Sequence, residues 1–146
     1  MMDLAAPTSP VKKTYKRDRP FMVNGQPMCT PTWDKALRHD GSYPSGHSAI
    51  GWGWALILAE AAPERASEIL ARGRAFGQSR SVCNVHWLSD TEEGRIIASG
   101  AVAMLHAQPE FVADIAAARE EISALRARNL PPTTDCAAEH EALKNG

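Results

Sequence analysis

From Ser45 onward the chain is a run of helix-length segments, each opened or closed by a residue suited to that task. This punctuation constrains the fold more than any other feature of the sequence. His47–Glu60 reads as a buried helix, and Pro63 suits the first position of the next one, about Pro63–Ser81. Three- and four-residue spacing places Ile69, Gly73, Phe76 and Arg80 on one face of that helix. Asn84–Leu88 breaks the pattern. Ser89-Asp90-Thr91-Glu92 then fits a capping box, and Ile96, Ile97, Gly100, Ala101, Met104 and Leu105 follow as a wide apolar stripe. Pro109 opens a last helix with Phe111, Ile115, Ala118, Ile122 and Leu125 on one side, and Asn129 followed by Pro131-Pro132 ends it. There are no β-branched alternating runs and no repeats. The expected fold class is all-α.

Ahead of Ser45 the expectations are weaker in regular structure. Residues 1–10 hold two prolines, Pro7 and Pro10, and are expected to be a disordered lead-in. Val11–Arg19 is short and basic, with Pro20 stopping any helix there. Phe21–Tyr43 carries Gly25, Pro27, Pro31 and Gly41 without a sustained period and is expected to be a loop. The chain of 146 residues thus divides into the lead-in, one domain over 11–129 and a polar tail over 130–146.

A net charge of −1 argues against a whole-chain polyanion binder, so any basic character is local. No apolar run reaches the roughly 18 residues of a membrane span. Ala49–Ala62 and Ile96–Ala107 are too short, and the chain is expected to be soluble. The first seven residues have neither a basic n-region nor an apolar h-region, so no secretory signal is read there. Cys29, Cys83 and Cys136 are odd in number and form no CxxC pair, which argues against zinc. A Cys29–Cys83 disulfide fits a protein outside the cytosol, while buried free thiols fit one inside it.

Three short segments carry polar residues that helical patterning does not require. In the first, Lys12 is followed seven residues later by Arg19-Pro20. Two helical turns would put both cations on one side, although with Lys13, Lys16 and Arg17 between them a solvated basic strip or a nucleic-acid patch fits as well. The second is Pro44-Ser45-Gly46-His47, directly before an apolar helix. Free backbone N–H groups at a helix start attract an anion, glycine allows its close approach, and His47 in the first turn can reach it. An N-cap serine beside an incidental histidine is the plainer alternative. The third is Ser79-Arg80, then His86, then Asp90. An aspartate four residues after a histidine can accept its Nδ1–H and leave Nε2 free as nucleophile or base; a structural His–Asp pair is the alternative.

In this order, Lys-x6-Arg-Pro, Pro-Ser-Gly-His and Ser-Arg-x5-His-x3-Asp resemble the tripartite signature of the phosphatidic acid phosphatase type 2 (PAP2) and haloperoxidase superfamily. Asp40–His47, Ala75–Arg80 and His86–Asp90 resemble in particular the bacterial class A non-specific acid phosphatases, and the resemblance runs from about Lys12 to Arg128. It implies a metal-independent acid phosphatase acting on small phosphate monoesters, with no cofactor. Lys12, Arg19 and Arg80 would hold the phosphate oxygens, and Ser45 with the Gly46 N–H would complete the cradle. His86 would be the nucleophile, forming a phosphohistidine, with Asp90 orienting it and His47 acting as acid and later base.

Proteins of that type carry several helices and a signal peptide ahead of the first motif, whereas eleven residues precede Lys12. A PAP2-type helical bundle without those helices, with apolar faces uncovered, is therefore expected, and a periplasmic location follows only from the resemblance. No nucleic-acid partner is expected, and the oligomeric state is open to a homo-oligomer. The competing readings are an inactive remnant or basic-arm binding protein and, more remotely, a vanadium haloperoxidase. His39, His106 and His140 have no motif support and are assigned to surface or packing roles.

Overall fold

The computed structural model describes residues 2–144. Among these residues the chain is helical without strands, as the patterning predicts. The helices are α1 (Met2–Ala5), α2 (Thr8–Tyr15), α3 (Pro20–Asn24), α4 (Asp34–Arg38), α5 (Gly46–Ala61), α6 (Ala66–Val82), α7 (Leu88–Leu105), α8 (Pro109–Ala127) and α9 (Cys136–Lys144). Short 3-10 turns at Pro31–Trp33 and Pro63–Arg65 precede α4 and α6.

Helix α5 is the axis of the molecule, packed on α6 and α7 and touched by α1, α2 and α8. The connections from α5 to α6 and from α6 to α7 are short, so consecutive helices run antiparallel. The N-termini of α5 and α7 and the C-terminus of α6 therefore meet at one end. Small residues bring them close. A Cβ on Gly94 of α7 would collide with the Ser45 carbonyl oxygen, and one on Gly77 of α6 would stand 3.1 Å from Ser48 Oγ. A hydrogen bond from Ser45 N–H to the Asp90 carbonyl oxygen (2.9 Å) fastens the start of α5 to the start of α7.

The buried apolar residues are mostly small: Ala49, Ala55, Ala61, Ala62, Ala98 and Val102, with Leu4, Phe21, Val85 and Ile115. The buried line on α7 is Thr91, Gly94, Ala98 and Val102. The stripe expected on that helix is offset from it, with Ile96 61% and Met104 76% exposed. The reason is that close packing on α5 selects for small side chains, which hydropathy underweights.

Several expectations for the irregular regions are corrected. The lead-in is helical, with Leu4 and Thr8 buried against the α5 side of the bundle and Leu4 seated over Gly53. The stretch 21–43 contains α3 and α4 rather than a continuous loop. Helix α6 begins after the 3-10 turn at Pro63–Arg65. The start of α7 is capped two residues earlier than expected: the Asp90 carboxylate accepts the Trp87 N–H (2.8 Å), and Ser89–Glu92 lies inside the helix. The polar tail forms α9, whose first turn is capped by Asp135 Oδ1 accepting from the Ala137 and Ala138 N–H groups at 3.0 Å. Residues 1, 145 and 146 of the expected lead-in and tail lie outside the described residues.

Candidate active site

The three motif segments converge where α5, α6 and α7 meet. Helix α2 carries Lys12 and ends at Tyr15, because Lys16 turns left-handed (φ 45°) and returns its N–H to the Lys12 carbonyl. Arg19 then follows in extended backbone before Pro20. Lys12 and Arg19 are thus not stacked on a continuous helix, as two helical turns would have placed them. They meet instead at Asp40, whose Oδ2 lies 3.4 Å from Lys12 Nζ and 3.1 Å from Arg19 Nη2. Lys12 also donates to the Gly41 carbonyl.

Arg19 is 2% exposed, and its whole guanidinium is engaged. Nε donates to the Leu37 and Asp40 carbonyls at 3.0 and 3.1 Å, and Nη1 donates to the Val85 carbonyl at 3.0 Å. Nη1 also lies 3.2 Å from His86 Nε2. Arginine can only donate, so Nε2 is the acceptor and the neutral imidazole carries its proton on Nδ1. That proton faces Asp90 Oδ2 at 3.3 Å. Both neighbours impose the same tautomer and leave the Nε2 lone pair as the reactive one.

Asp90 is fully buried, yet its carboxyl stays below the ordinary carboxylate value. Burial pushes it up, and the bonds from His86 and the Trp87 N–H, with the charge of Arg17, more than offset this. His86 is pulled below the ordinary histidine value chiefly by burial; the Asp90 bond opposes the shift, and the Arg19 and Lys12 charges reinforce it. Lys12 is lowered by burial first, with Asp40 opposing.

Ser45 is the N-cap of α5: its Oγ accepts from the Ser48 N–H (3.2 Å) and from the Ser48 hydroxyl (3.0 Å). The plainer capping reading of the serine therefore holds geometrically, while its own hydroxyl proton remains available. The first-turn N–H groups of Gly46 and His47 have no acceptor within the helix and mark the positive end of its dipole. His47 stands on the exposed side of that turn, its ring 6.4 Å from Phe76. It is lowered by burial first, then by the charges of Arg80, Arg19 and Lys12. Arg80, on the last turn of α6, bonds Ser79 Oγ (3.3 Å) and Cys83 Sγ (3.9 Å) and has no carboxylate partner among the described residues.

Two residues at the site were not singled out from the sequence. Asp40 pairs with two of the cations. Arg17, set aside as part of a basic strip, donates to Asp90 Oδ1 at 2.8 Å and Ser89 Oγ at 2.7 Å. The strip itself is divided, since Lys12, Arg17 and Arg19 turn inward while Lys13 and Lys16 stay exposed. Asn84, left-handed at φ 59°, links the segments on either side: its carbonyl accepts the Phe21 N–H, and its amide pairs with Asn24. A disulfide joins Cys29 to Cys83 just past Arg80. His106 pairs with Glu60 (2.8 Å), far from the motif residues in sequence and outside their network.

A cation cluster and a histidine of fixed tautomer thus lie where the starts of α5 and α7 are fastened together. The chain matches the PAP2 superfamily over residues 2–112, and it belongs to that family. It is 46% identical over 132 residues to the acid phosphatase of Zymomonas mobilis, covering 90% of this chain and 50% of that protein. It is 48% identical over 124 residues to the non-specific acid phosphatase of Providencia stuartii (85% and 49%), and 46% identical over 116 residues to that of Salmonella typhimurium (80% and 46%). The chain thus spans about half the length of these curated relatives. No helix among the described residues is by itself long and apolar enough to cross a membrane.

Proposed function

We propose that the chain is an acid phosphatase that hydrolyses small phosphate monoesters through a phosphohistidine on His86, without a metal. One observation carries the reading: His86 Nε2 is held as a lone pair beside the Arg19 guanidinium, with Nδ1 on Asp90. A phosphate drawn to that guanidinium brings its phosphorus to the only histidine nitrogen prepared to attack. Lys12, Arg19 and Arg80, with the Ser45 hydroxyl and the Gly46 N–H, hold its oxygens. Three cations supply the charge stabilisation that magnesium provides in other phosphoryl transfers.

In the first step the Nε2 lone pair bonds to phosphorus and the ester P–O bond breaks, its electrons leaving with the alkoxide. His47 protonates that oxygen. In the second step His47 takes a proton from water, the water oxygen bonds to phosphorus and the P–N bond breaks, releasing inorganic phosphate and restoring His86. The Cys29–Cys83 disulfide supports an oxidising compartment such as the periplasm.

The test is release of p-nitrophenol from p-nitrophenyl phosphate at mildly acidic pH in excess EDTA, with wild type compared to His86→Ala. Chelator-resistant turnover that disappears in His86→Ala is expected. Turnover that survives the substitution would remove His86 as nucleophile.

A further inference from the structure

Asp90 Oδ2 is occupied by His86 and the Trp87 N–H, which leaves Oδ1 of a fully buried carboxylate to be satisfied separately. Among the described residues Arg17 alone does so, at 2.8 Å. Its guanidinium is fixed from three sides. Nη1 also donates to Ser89 Oγ, and the group lies 5.4 Å from the centroid of the Trp87 ring. Its backbone carbonyl accepts the Ser42 N–H at 2.8 Å, and the next carbonyl, of Asp18, accepts from Trp87 Nε1 at 2.8 Å. Arg17 takes the Asp90 oxygen that His86 does not, and its guanidinium bonds Asp90 and Ser89, whereas Lys12 and Arg19 pair with Asp40. A solvated strip residue would need none of this.

We propose that Arg17 is a positioning residue: held on Asp90 Oδ1, it aims the other oxygen at His86 Nδ1 and limits how strongly the carboxylate stabilises a protonated His86. This rests on the catalytic reading of His86 and assigns a further residue to the same site. The charge argument has a definite sign. Asp90 favours the imidazolium, and Arg17 cancels part of that field. Without it, His86 would hold its proton to higher pH, and the nucleophile would be blocked over more of the acidic range. The other charges acting on the pair stay in place: Lys12 from α2, and Arg19 from the segment before α3 with its partner Asp40 from the segment after α4.

The experiment is a titration of the His86 imidazole by NMR in the full-length chain, wild type against Arg17→Gln, with the pH profile of kcat/KM for p-nitrophenyl phosphate recorded beside it. The histidine is expected to titrate about half to one pH unit higher in Arg17→Gln, with the acid limb of the profile moving by the same amount. Arg17→Lys, which keeps the charge, is expected to restore the wild-type value. Arg17→Met is expected to repeat the upward shift and serves if the glutamine variant does not fold. A His86 titration unchanged in both neutral variants overturns the proposal, whatever their activity. A shifted titration in a chain with no turnover supports Arg17's role and overturns the phosphatase reading instead, so the two failures are separable.

Discussion

The two site histidines are displaced in the same direction with burial as the first cause, and they differ in their neighbours, Asp90 opposing the shift of His86 and Arg80 adding to that of His47. His86 is lowered mainly by being buried, which favours the neutral imidazole that the proposed attack requires. His47 is lowered by burial and by three cations, the groups that would pair with a bound phosphate. A phosphate dianion among Lys12, Arg19 and Arg80 cancels much of their field, and the His47 imidazolium then becomes easier to form. The sign follows: between the free and the bound values of His47, binding takes up a proton, and affinity rises as pH falls. Calorimetry of inorganic phosphate binding near pH 6, in buffers of different ionisation enthalpy, is expected to show net proton uptake in wild type. His47→Gln is expected to lose most of that uptake while still binding phosphate; equal uptake in both proteins would assign the proton elsewhere. For the neighbouring carboxylate, Asp90→Asn is expected to lower kcat by a factor of 10 or more without a comparable rise in the KM for p-nitrophenyl phosphate. An asparagine can present an N–H to His86 Nδ1 and impose the wrong tautomer, as the roughly 10⁴-fold cost of the same change in a serine protease triad illustrates.

At the scale of elements, the site depends on helices being able to touch. Gly94 faces the Ser45 carbonyl, the atom that begins α5, whereas a Cβ on Gly100, six residues further along the same helix, would meet nothing within 4 Å. The two glycines should therefore respond oppositely to alanine. Gly94→Ala is expected to cost about 1–3 kcal/mol through overpacking, and to lower kcat because the start of α5 must shift relative to Asp90. Gly100→Ala is expected to stabilise by up to about 1 kcal/mol, the ordinary helix preference for alanine over glycine. Urea unfolding of the two variants checks both signs.

The same glycines explain what the sequence conveyed and what it did not. Helices α5 to α8 were legible because Pro63, Pro109 and the apolar runs mark them locally. The buried face of α7 was not, since Gly94, Ala98 and Val102 bury by closeness and Ile96 and Met104 are larger but outward. Helices α1 and α2 were missed because Pro7 between them and Pro10 within α2 look like loop composition until Leu4 is seen against α5. Within the site, residues on fixed motif spacings were legible. Asp40 and Arg17 were not, because their partners lie 28 and 73 residues away.

For the molecule as a whole, the core is thin and its largest fully buried side chains are polar, with Arg19, Thr91 and Asp90 foremost. An apolar cavity of about 970 Å³ opens between α5, α6 and α9, lined by residues that include Trp54, Leu58, Ile69 and Phe76. Apolar burial is thus modest for the chain length, and a covalent constraint carries more weight than it would in a fuller core. The Cys29–Cys83 bridge closes a loop over a separation of 54 residues, tying the segment after α3 to the end of α6. Chain-entropy arguments value such a loop at about 4 kcal/mol, and native disulfides in small domains commonly give about 2–5 kcal/mol. Cys29→Ser with Cys83→Ser is therefore expected to lower the unfolding free energy by about 2–4 kcal/mol. The bridge also stands next to Arg80 and to Asn84, which binds the Gln26 and Pro27 carbonyls. Its loss should consequently be felt at the site before the chain unfolds: weaker phosphate binding in the double variant at urea concentrations where circular dichroism is still native. If phosphate affinity instead falls only in step with global unfolding, the bridge contributes to stability alone, and Asn84 with its hydrogen bonds suffices to hold the two segments at the site.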